Sequence, residues 1–330
     1  MKVLFIGGTG IISSACSELA ISKGIDLYHL NRGKSKRKIE GVKTIIGDIR
    51  DFEATKKALE DLNFDSVVDW IAYKPEHIKN DIRLFTGKTD QFIFISSASC
   101  YQTPPEKLPV TEDTPLNNPI WEYSQNKIAC EDILREEYRK NGFPYTVVRP
   151  SHTYDKTLIP MEGGYTVLNR MKLGLPVIVH GDGTSIWTLT HHRDFAIGLV
   201  GLLGKPEAID EAYQITNNEL LSWNRIFKTM AKELGVTPKL VHIPSDIIAK
   251  YDKDFGDSLL GDKTYSMIFD NSKIKNLVPE FNPQIPFSQG AKEIVQFYNN
   301  IENQTIDEAF NRLTDKIIAD YSQISDDDKV

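Results

Sequence analysis

Tyr123 and Lys127 lie four positions apart in Trp121–Asn141, a segment whose pattern predicts a helix. Residues at i and i+4 share one face of a helix, so the ammonium of Lys127 is expected beside the phenol of Tyr123. A neighbouring cation favours the phenolate and lowers the pKa of Tyr123 from its usual value of about 10. Such a phenolate can take a proton from a hydroxyl group while hydride leaves the same carbon. The pair therefore predicts oxidation or reduction at a hydroxyl or keto carbon.

Serine hydroxyls precede this pair at the end of the fifth predicted strand. We predict that a serine hydroxyl of the Ser96-Ser97-Ala98-Ser99 stretch holds the substrate oxygen. His152 follows the sixth predicted strand, where the chain enters the cleft, and is expected to contact the substrate. The full set of predicted substrate contacts is Ser97, Ser99, Tyr123, His152 and Trp187.

A glycine-rich turn opens the chain, between the strand-like run Lys2–Ile6 and a segment with a helical pattern. Glycine lets the backbone turn tightly and lets a pyrophosphate approach without a Cβ in the way. The free N–H groups and the positive end of the following helix attract phosphate. This order of strand, turn and helix predicts a dinucleotide site. The residues predicted to cradle the pyrophosphate are Gly7, Gly8, Thr9, Gly10, Ile11 and Ile12.

The end of the second predicted strand decides which dinucleotide is favoured. An acidic residue there would hydrogen-bond the ribose 2′-OH of NAD, but this chain has Asn31 and Arg32, followed by a basic run. Arg32 can stack on adenine and pair with a 2′-phosphate in forked geometry. The sequence therefore favours NADP, with NAD as the alternative. After the third strand, Asp48 can accept a hydrogen bond from the adenine amino group, and Ile49 beside it is a further predicted cofactor contact.

These residues need a scaffold that brings the ends of several strands together. Strand-like runs alternate with helical segments in the first half of the chain, which predicts an α/β fold with a doubly wound parallel sheet, the NAD(P)-binding Rossmann fold. The predicted strands are Lys2–Ile6, Asp26–Leu30, Lys43–Ile46, Ser66–Asp69, Gln91–Ile95 and Tyr145–Val148. The predicted helices between them are Ile11–Lys23, Asp51–Leu62, Pro75–Phe85 and Trp121–Asn141. We expect residues 1–155 to form the Rossmann domain, with contributions from about 180–215, and residues 156–330 to form a smaller, interleaved substrate-binding lobe.

Composition narrows the class of protein. The chain has 330 residues, 40% hydrophobic and 26% charged, and its net charge of −7 argues against nucleic acid as a main partner. No apolar run reaches the roughly 18–20 residues that a membrane span needs, and the opening residues lack a signal-peptide pattern. The cysteines are sparse and fit reduced thiols, so we expect a cytoplasmic protein. We expect no metal site, since adjacent His191 and His192 point in different directions.

Taken in this order, the motifs resemble those of extended short-chain dehydrogenases/reductases, of the NAD-dependent epimerase/dehydratase type. The matching stretches are Gly7-Gly8-Thr9-Gly10-Ile11, Gly47-Asp48, Ser96-Ser97-Ala98, Tyr123-Ser124-Gln125-Asn126-Lys127, Val148-Arg149-Pro150, Gly181-Asp182-Gly183-Thr184 and Asp194-Phe195-Ala196. The resemblance implies that Tyr123 is the acid/base, that Lys127 binds the nicotinamide ribose and that Ala72 lines the cofactor. It also implies that Ser97 orients the substrate oxygen, with Ser96 or Ser99 as the alternatives. Pro150 completes the predicted cofactor set. A homodimer that pairs the helices near 75–86 and 121–141 is also implied.

Three departures from that family's pattern bear on the site. Ser13 stands at the third glycine position of the turn. Trp187 stands where nucleotide-sugar enzymes of the family usually carry an arginine that pairs with the substrate diphosphate. Ala98 and Ser99 stand where sugar dehydratases carry an Asp-Glu pair, so β-elimination lacks its proton carriers. We therefore expect epimerase or oxidoreductase chemistry on a sugar-like or small carbonyl substrate, and the case for a nucleotide sugar is weakened.

The sequence is compatible with other hypotheses about function. One is a non-catalytic Rossmann protein that senses NADP or binds RNA, because chloroplast stem-loop-binding proteins share a glycine turn followed by an arginine after the second strand. The presence of both Tyr123 and Lys127 argues against a sensor, and the acidic charge argues against RNA. Another is a nucleotide-sugar enzyme that binds phosphate through other residues. Whether hydride returns to the same substrate, as in an epimerase, or stays on the cofactor, as in a reductase, is also open.

Overall fold

A seven-stranded parallel sheet forms the centre of the structure, a computed structural model that describes residues 1–327. The strands of the described chain are β1 (Lys2–Ile6), β2 (Asp26–Asn31), β3 (Lys43–Ile46), β4 (Ser66–Asp69), β5 (Phe92–Ile95), β6 (Tyr145–Pro150), β7 (His152–Tyr154), β8 (Pro176–His180), β9 (Ile186–Trp187), β10 (Leu189–His191), β11 (Glu211–Ile215), β12 (Leu221–Ser222) and β13 (Lys239–Ile243). The central sheet has the order β11-β6-β5-β4-β1-β2-β3. The order reverses between β1 and β4, and this switch point is where doubly wound sheets bind their ligands.

Helices connect and cover these strands. They are α1 (Ile11–Ser22), α2 (Phe52–Ala58), α3 (Pro75–Phe85), α4 (Glu122–Asn141), α5 (Tyr165–Lys172), α6 (His192–Leu202), α7 (Trp223–Glu233), α8 (Ser245–Ala249), α9 (Lys253–Ser258), α10 (Ser272–Leu277), α11 (Phe287–Phe297) and α12 (Glu308–Asp327). The long helix α4 is capped at its C-terminus by Gly142. The φ of Gly142 is 72°, the left-handed conformation that glycine adopts without strain. Its N–H donates to the carbonyl of Tyr138 at 2.8 Å, which satisfies one of the last free carbonyls of the helix.

Alternate residues of the central strands pack into two cores, one on each face of the sheet. Val3 and Phe5 of β1 join the core that contains residues of α1 and α6. Leu4 and Ile6 join the core that contains residues of α3 and α4. Successive side chains of a strand point to opposite faces, so a parallel strand that is covered on both faces must be apolar throughout. This requirement explains the unbroken apolar run that opens the chain.

A further core, which we call the C-terminal core, is built mainly from residues after position 150. Its members include Leu168, Val177, Trp187 and Phe227. Around it β7 pairs with β10, β8 with β13, and β9 with β12. Because Ser151 alone separates β6 from β7, this part of the chain starts directly at the carboxyl end of the central sheet.

The predicted fold class is confirmed, and the six predicted strands lie within two residues of β1–β6. The sequence did not predict β11 as a strand, because polar Glu211 and Gln214 interrupt its apolar pattern. Gln214 is nevertheless fully buried, and its side-chain N–H groups donate to the carbonyls of Val110 at 2.9 Å and Asp270 at 2.5 Å.

Helix α2 ends at Ala58, four residues earlier than predicted. Helix α5 was also missed, because its eight residues are too few for a clear helical period.

Candidate active site

Tyr123 and Lys127 lie in the first two turns of α4, next to the carboxyl end of β5. Tyr123 is partly buried and Lys127 is 1% exposed. The Nζ atom of Lys127 lies 5.7 Å from the centroid of the Tyr123 ring. The two side chains therefore share the buried side of the helix, as their i, i+4 spacing requires.

The ammonium of Lys127 is held by backbone carbonyls. Its Nζ donates to the carbonyl of Ala72 and to that of Ile95, each at 2.7 Å. Burial lowers the pKa of Lys127 to about 8, although the negative charge of Asp69 raises it. Since the two carbonyls follow or end neighbouring strands, the ammonium is fixed at the edge of the sheet, beside Tyr123.

The serine hydroxyls differ in where they point. Ser97 is partly buried, and its Oγ lies 2.9 Å from Oγ of Ser99. Ser124 in turn donates to Oγ of Ser99 at 2.7 Å, so Ser99 is 4% exposed and occupied by protein partners. Ser96 is 2% exposed and donates to Glu131 at 2.5 Å. Of the three candidates, Ser97 is therefore the one that is not fully buried.

The protonation state of Tyr123 differs from the expectation. Burial raises the pKa of Tyr123, with a smaller contribution from Cys100, whereas hydrogen bonding to Ser97 lowers it. Among the protein's own groups, withdrawal of the phenolate from water dominates, so the pKa of Tyr123 is raised, whereas the spacing to Lys127 predicts that it is lowered. Tyr123 thus carries its proton at neutral pH and is poised to donate it.

The glycine turn between β1 and α1 is shaped by contacts that leave no room for side chains. Gly7 has a φ of +89°, and a Cβ there would lie 2.7 Å from Cγ2 of Ile71. A Cβ on Gly8 would lie 2.3 Å from Nε2 of His29. The turn therefore carries no side chains at Gly7 and Gly8. It leads into α1, whose first N–H groups have no partner within the helix. This arrangement fits the pyrophosphate of a dinucleotide.

Ser13, at the third glycine position of the turn, closes the turn instead of disturbing it. Its Oγ donates to the carbonyl of Gly7 at 3.0 Å and accepts from the N–H of Gly10 at 2.8 Å. The hydroxyl bridges both ends of the turn, so the departure from the family's glycine pattern leaves the cradle intact.

Replacing Gly8 by alanine should disturb the turn through His29, which is 2% exposed and lies 2.8 Å from Oγ of Ser17. The new methyl group displaces the imidazole, so we expect the free energy of unfolding in urea to fall by about 1–3 kcal/mol. In a His29→Ala background, Gly8→Ala should cost much less, because the colliding ring is gone. Strictly additive effects of the two substitutions would contradict this explanation.

The candidates for the adenosine end lie after β2 and β3. Arg32 is exposed, and Oδ1 of Asn31 accepts from a backbone N–H two residues later at 2.9 Å. Oδ1 of Asp48 accepts from the N–H of Arg50 at 3.0 Å, so this carboxylate also supports its own turn. The Ile49 side chain is 3% exposed and packs in the core of the sheet, which leaves its backbone to contact a cofactor.

Arg37 was not singled out by the sequence. Its guanidinium donates to the carbonyl of Gly10 at 3.2 Å and to Oγ of Ser14, both at the start of α1. It also pairs with Asp155 at 3.1 Å. Arg37 thereby spans the front of the glycine turn, from the loop after β2 to the residue after β7. Its place in the basic run after Arg32 was the available signal.

Ala72 and Pro150 complete the predicted cofactor set. Ala72 follows β4; its N–H donates to Oδ1 of Asp69 at 2.9 Å, while its carbonyl accepts from Lys127. Pro150 is the buried last residue of β6. The ends of β4, β5 and β6 are neighbours in the sheet, so the structure brings these residues to the same edge as Tyr123.

The two remaining candidate substrate contacts, His152 and Trp187, have different surroundings. His152 lines a cavity of about 340 Å³ next to the C-terminal core. Its Nε2 is buried and has no hydrogen-bond partner among residues 1–327. Trp187 was also expected to contact substrate, but its indole is 1% exposed, belongs to the C-terminal core and does not line that cavity. The structure thus places Trp187 in the core, where a large apolar ring is most stable.

His191, at the start of α6, has a local partner, whereas the buried Nδ1 of His192 has no hydrogen-bond partner among residues 1–327. Nε2 of His191 lies 3.1 Å from a carboxylate oxygen of Glu293. Throughout residues 1–327, no three histidine, cysteine or acidic side chains come together in a way that could hold a metal ion. In the same part of the chain, no helix has the length and apolar character required to cross a membrane.

Known proteins are similar to this chain in sequence and in fold. The model of the NAD dependent epimerase/dehydratase family matches residues 3–216, which include the glycine turn, Ser97, Tyr123 and Lys127. A chloroplast stem-loop binding protein of 41 kDa from Arabidopsis thaliana is 26% identical over 257 residues, 73% of this chain and 65% of the relative. A UDP-glucose 4-epimerase from Lactobacillus helveticus is 34% identical over 169 residues, 45% of this chain and 51% of the relative. The chain thus spans less than two thirds of the length of both relatives.

Among solved structures, UDP-glucuronic acid 4-epimerase from Bacillus cereus has a TM-score of 0.73 at 19% identity, over 91% of this chain and 100% of that chain. At that identity the likeness concerns the fold. The family match extends over more than half of the chain and contains the residues from which the site is built. The chain therefore belongs to the NAD-dependent epimerase/dehydratase family.

Proposed function

We propose that the protein is an NAD(P)-dependent oxidoreductase or epimerase that acts on a hydroxyl or keto carbon of a sugar-like or small carbonyl substrate. The observation that carries this proposal is the convergence of Ser97, Tyr123 and Lys127 at one edge of the central sheet, beside a glycine turn that fits a pyrophosphate. A proton donor, an oxygen-binding hydroxyl and a fixed cation are what reduction of a carbonyl needs from the protein.

The role of each residue follows from its surroundings. A bound nicotinamide supplies or accepts the hydride. Ser97 orients the substrate oxygen, and the protonated Tyr123 donates to it as negative charge develops there. Lys127, anchored by two carbonyls, binds the nicotinamide ribose and stabilises the phenolate that remains. In the oxidising half of an epimerase cycle the same proton moves back to Tyr123, so these three residues serve both alternatives.

We propose NADP as the preferred cofactor, with NAD as the alternative, on the strength of Arg32. This side chain is exposed at the end of β2, where it can pair with a 2′-phosphate. Asn31 and Asp48 lie nearby and have no charge that would favour a 2′-phosphate, so Arg32 is the residue on which the preference depends.

Titration of the purified protein with NADPH and NADH, followed by nucleotide fluorescence, tests this proposal. We expect NADPH to bind more tightly. The substitution Arg32→Ala should weaken NADPH roughly tenfold to hundredfold and leave NADH nearly unchanged, because it removes charge-assisted hydrogen bonds. Arg139→Ala, an exposed change at the far end of α4, is the matched control. Tighter NADH binding in the wild type would contradict the NADP preference, and binding of neither would contradict the enzyme proposal.

The remaining organisation follows from the same proposal. Residues 1–155, with contributions from about 180–215, would bind the nucleotide, and residues 156–330 would bind the substrate. We propose a homodimer through α3 and α4, which pack against each other within the chain. A cytoplasmic location is supported by Cys16, Cys100 and Cys130, all free and buried.

A second candidate is an RNA-binding or NADP-sensing protein without catalysis. One observation favours its RNA-binding form: the similarity to the chloroplast stem-loop binding protein from Arabidopsis thaliana. The net charge of −7 opposes it. A salt-dependent shift of stem-loop RNA in gels at low micromolar protein would support this candidate, since phosphate contacts weaken as salt rises. Lack of a shift at low salt would exclude the RNA-binding form.

A further inference from the structure

The cavity of about 340 Å³ that His152 lines, which we call the C-terminal cavity, lies among α5, β8, α7 and α12. Its walls are mainly apolar; they include Leu158, Ile159, Val177, Trp223, Phe227 and Phe310. Phe310 of α12 packs directly on Gly163, where a Cβ would lie 2.1 Å from the phenyl ring. A volume of this size is at the lower end of the roughly 300–1,000 Å³ that small-molecule sites occupy.

The C-terminal cavity adjoins the catalytic candidates through one short segment, the π-helical turn Leu259–Lys263. Lys263 lines the cavity, and its Nζ lies 5.5 Å from the centroid of the Trp121 ring. The Trp121 ring in turn lies 4.9 Å from that of Tyr123. Asn118 ties the same turn to the serine cluster by donating to the carbonyls of Gly261 and Ser99. The side chains of Lys263 and Trp121 thus connect the lining of the cavity to Tyr123.

The polar groups of the cavity are few and mostly occupied. The Arg170 guanidinium is 1% exposed and donates to the carbonyl of Pro176, to Asn311 and to Asp315. The ammonium of Lys263 lies 3.6 Å from the carboxylate of Asp262. Glu162 adds a negative charge at the rim. Among the neutral polar groups that line the cavity, His152 has a buried Nε2 without a hydrogen-bond partner in residues 1–327. Burial lowers the pKa of His152 to about 3, so its ring is neutral.

This set does not suit a nucleoside diphosphate. A diphosphate carries several negative charges, and such groups are usually met by forked guanidinium donors. Here the lining guanidinium is already paired, the lining ammonium has a carboxylate beside it, and another carboxylate stands at the rim. Apolar walls gain instead from covering apolar surface, at about 25 cal/mol for each Å² removed from water.

We infer that the C-terminal cavity holds the non-reacting part of the substrate, and that this part is an uncharged aryl or alkyl group, so that the substrate is a hydrophobic ketone or its secondary alcohol. This inference rests on the proposed function, since it takes the reacting carbon to lie at Tyr123. The neutral ring of His152 supplies one hydrogen bond to a polar atom of the substrate. The apolar walls supply the remaining affinity.

Isothermal titration calorimetry of the full chain with 4-phenyl-2-butanone, 1-indanone and uridine diphosphate tests the inference without any turnover. We expect at least one ketone to bind saturably and uridine diphosphate not to bind. The substitution Leu158→Trp fills the cavity and should weaken ketone binding about tenfold or more. Leu173→Trp is the matched control, because Leu173 is 65% exposed and does not line the cavity. His152→Leu should weaken the ketones several-fold through one lost hydrogen bond.

Three results would overturn the inference: no binding of either ketone, ketone binding that Leu158→Trp leaves unchanged, or uridine diphosphate binding that Leu158→Trp removes. NADPH titration and circular dichroism of the same samples confirm that each variant is folded and keep the two proposals separate. Nucleotide binding without ketone binding contradicts the hydrophobic substrate and leaves the enzyme proposal standing. Ketone binding without nucleotide binding supports the apolar ligand and contradicts the enzyme proposal.

Discussion

Tyr123→Phe is expected to lower kcat by about 10²–10⁴-fold, the usual contribution of a positioned general acid. The variant keeps the ring, which packs 4.9 Å from that of Trp121, and loses the one proton that the substrate oxygen is expected to receive. Because Lys127 keeps its bonds to two backbone carbonyls, the affinity for NADPH should stay within a few-fold of wild type. The measurement is kcat on a carbonyl substrate found by screening, together with the nucleotide titration.

Tyr138→Phe provides the matched control, since Tyr138 lies on the same helix but packs against Tyr145 with its ring centroid 6.0 Å away. Its kcat should equal that of the wild type. Retained turnover in Tyr123→Phe would remove Tyr123 from the mechanism. Loss of both turnover and nucleotide binding would instead indicate a damaged fold, which a Tm measurement on the same sample resolves.

The direction of the reaction gives a second check on Tyr123. Burial raises the pKa of Tyr123, so the phenol keeps its proton across neutral pH and can serve as the donor for carbonyl reduction. Oxidation of the alcohol needs the phenolate and should therefore speed up as pH rises toward that pKa. A rate of oxidation that is flat with pH would contradict this protonation state.

Arg149→Met is expected to lower the free energy of unfolding by about 3–5 kcal/mol, because it leaves a buried carboxylate without its partner. Arg149 and Glu131 are 4% and 1% exposed and form two hydrogen bonds, of 2.6 and 3.1 Å. The pair joins β6 to α4, and Glu131 also accepts from Ser96. The substitution therefore loosens the helix that carries Tyr123, and turnover should fall together with stability.

Urea unfolding of three variants separates this buried pair from an ordinary surface one. Arg135→Met breaks the exposed pair with Asp132, whose side chains are 37% and 60% accessible, and should change stability by no more than about 0.5 kcal/mol. Adding Glu131→Gln to Arg149→Met removes the stranded charge and should restore part of the loss. Equal effects of Arg149→Met and Arg135→Met would show that burial of the pair carries no special cost.

The buried partner of Arg149, in the Val148-Arg149-Pro150 stretch, could not be predicted from the sequence. The sequence associates this stretch with the family, but only the fold shows that the guanidinium meets Glu131, 18 residues earlier, inside the protein. Likewise, the residue types of Ser96, Ser97 and Ser99 do not rank them, and only the family resemblance favours Ser97. They become different once packing assigns Ser96 to Glu131 and Ser99 to Ser124.

Local and periodic features of this protein were determined by the sequence alone. The glycine turn, the i, i+4 pair of Tyr123 and Lys127, and the parallel sheet follow from steric limits and hydrophobic periods that act over a few residues. Long-range properties were decided by the tertiary structure. Burial raises the pKa of Tyr123, and Arg37 pairs with Asp155, which is 118 positions away. Phe310 of α12 lines the C-terminal cavity together with residues of α5 and α7. Desolvation and contact depend on which segments pack together, and no local pattern specifies that.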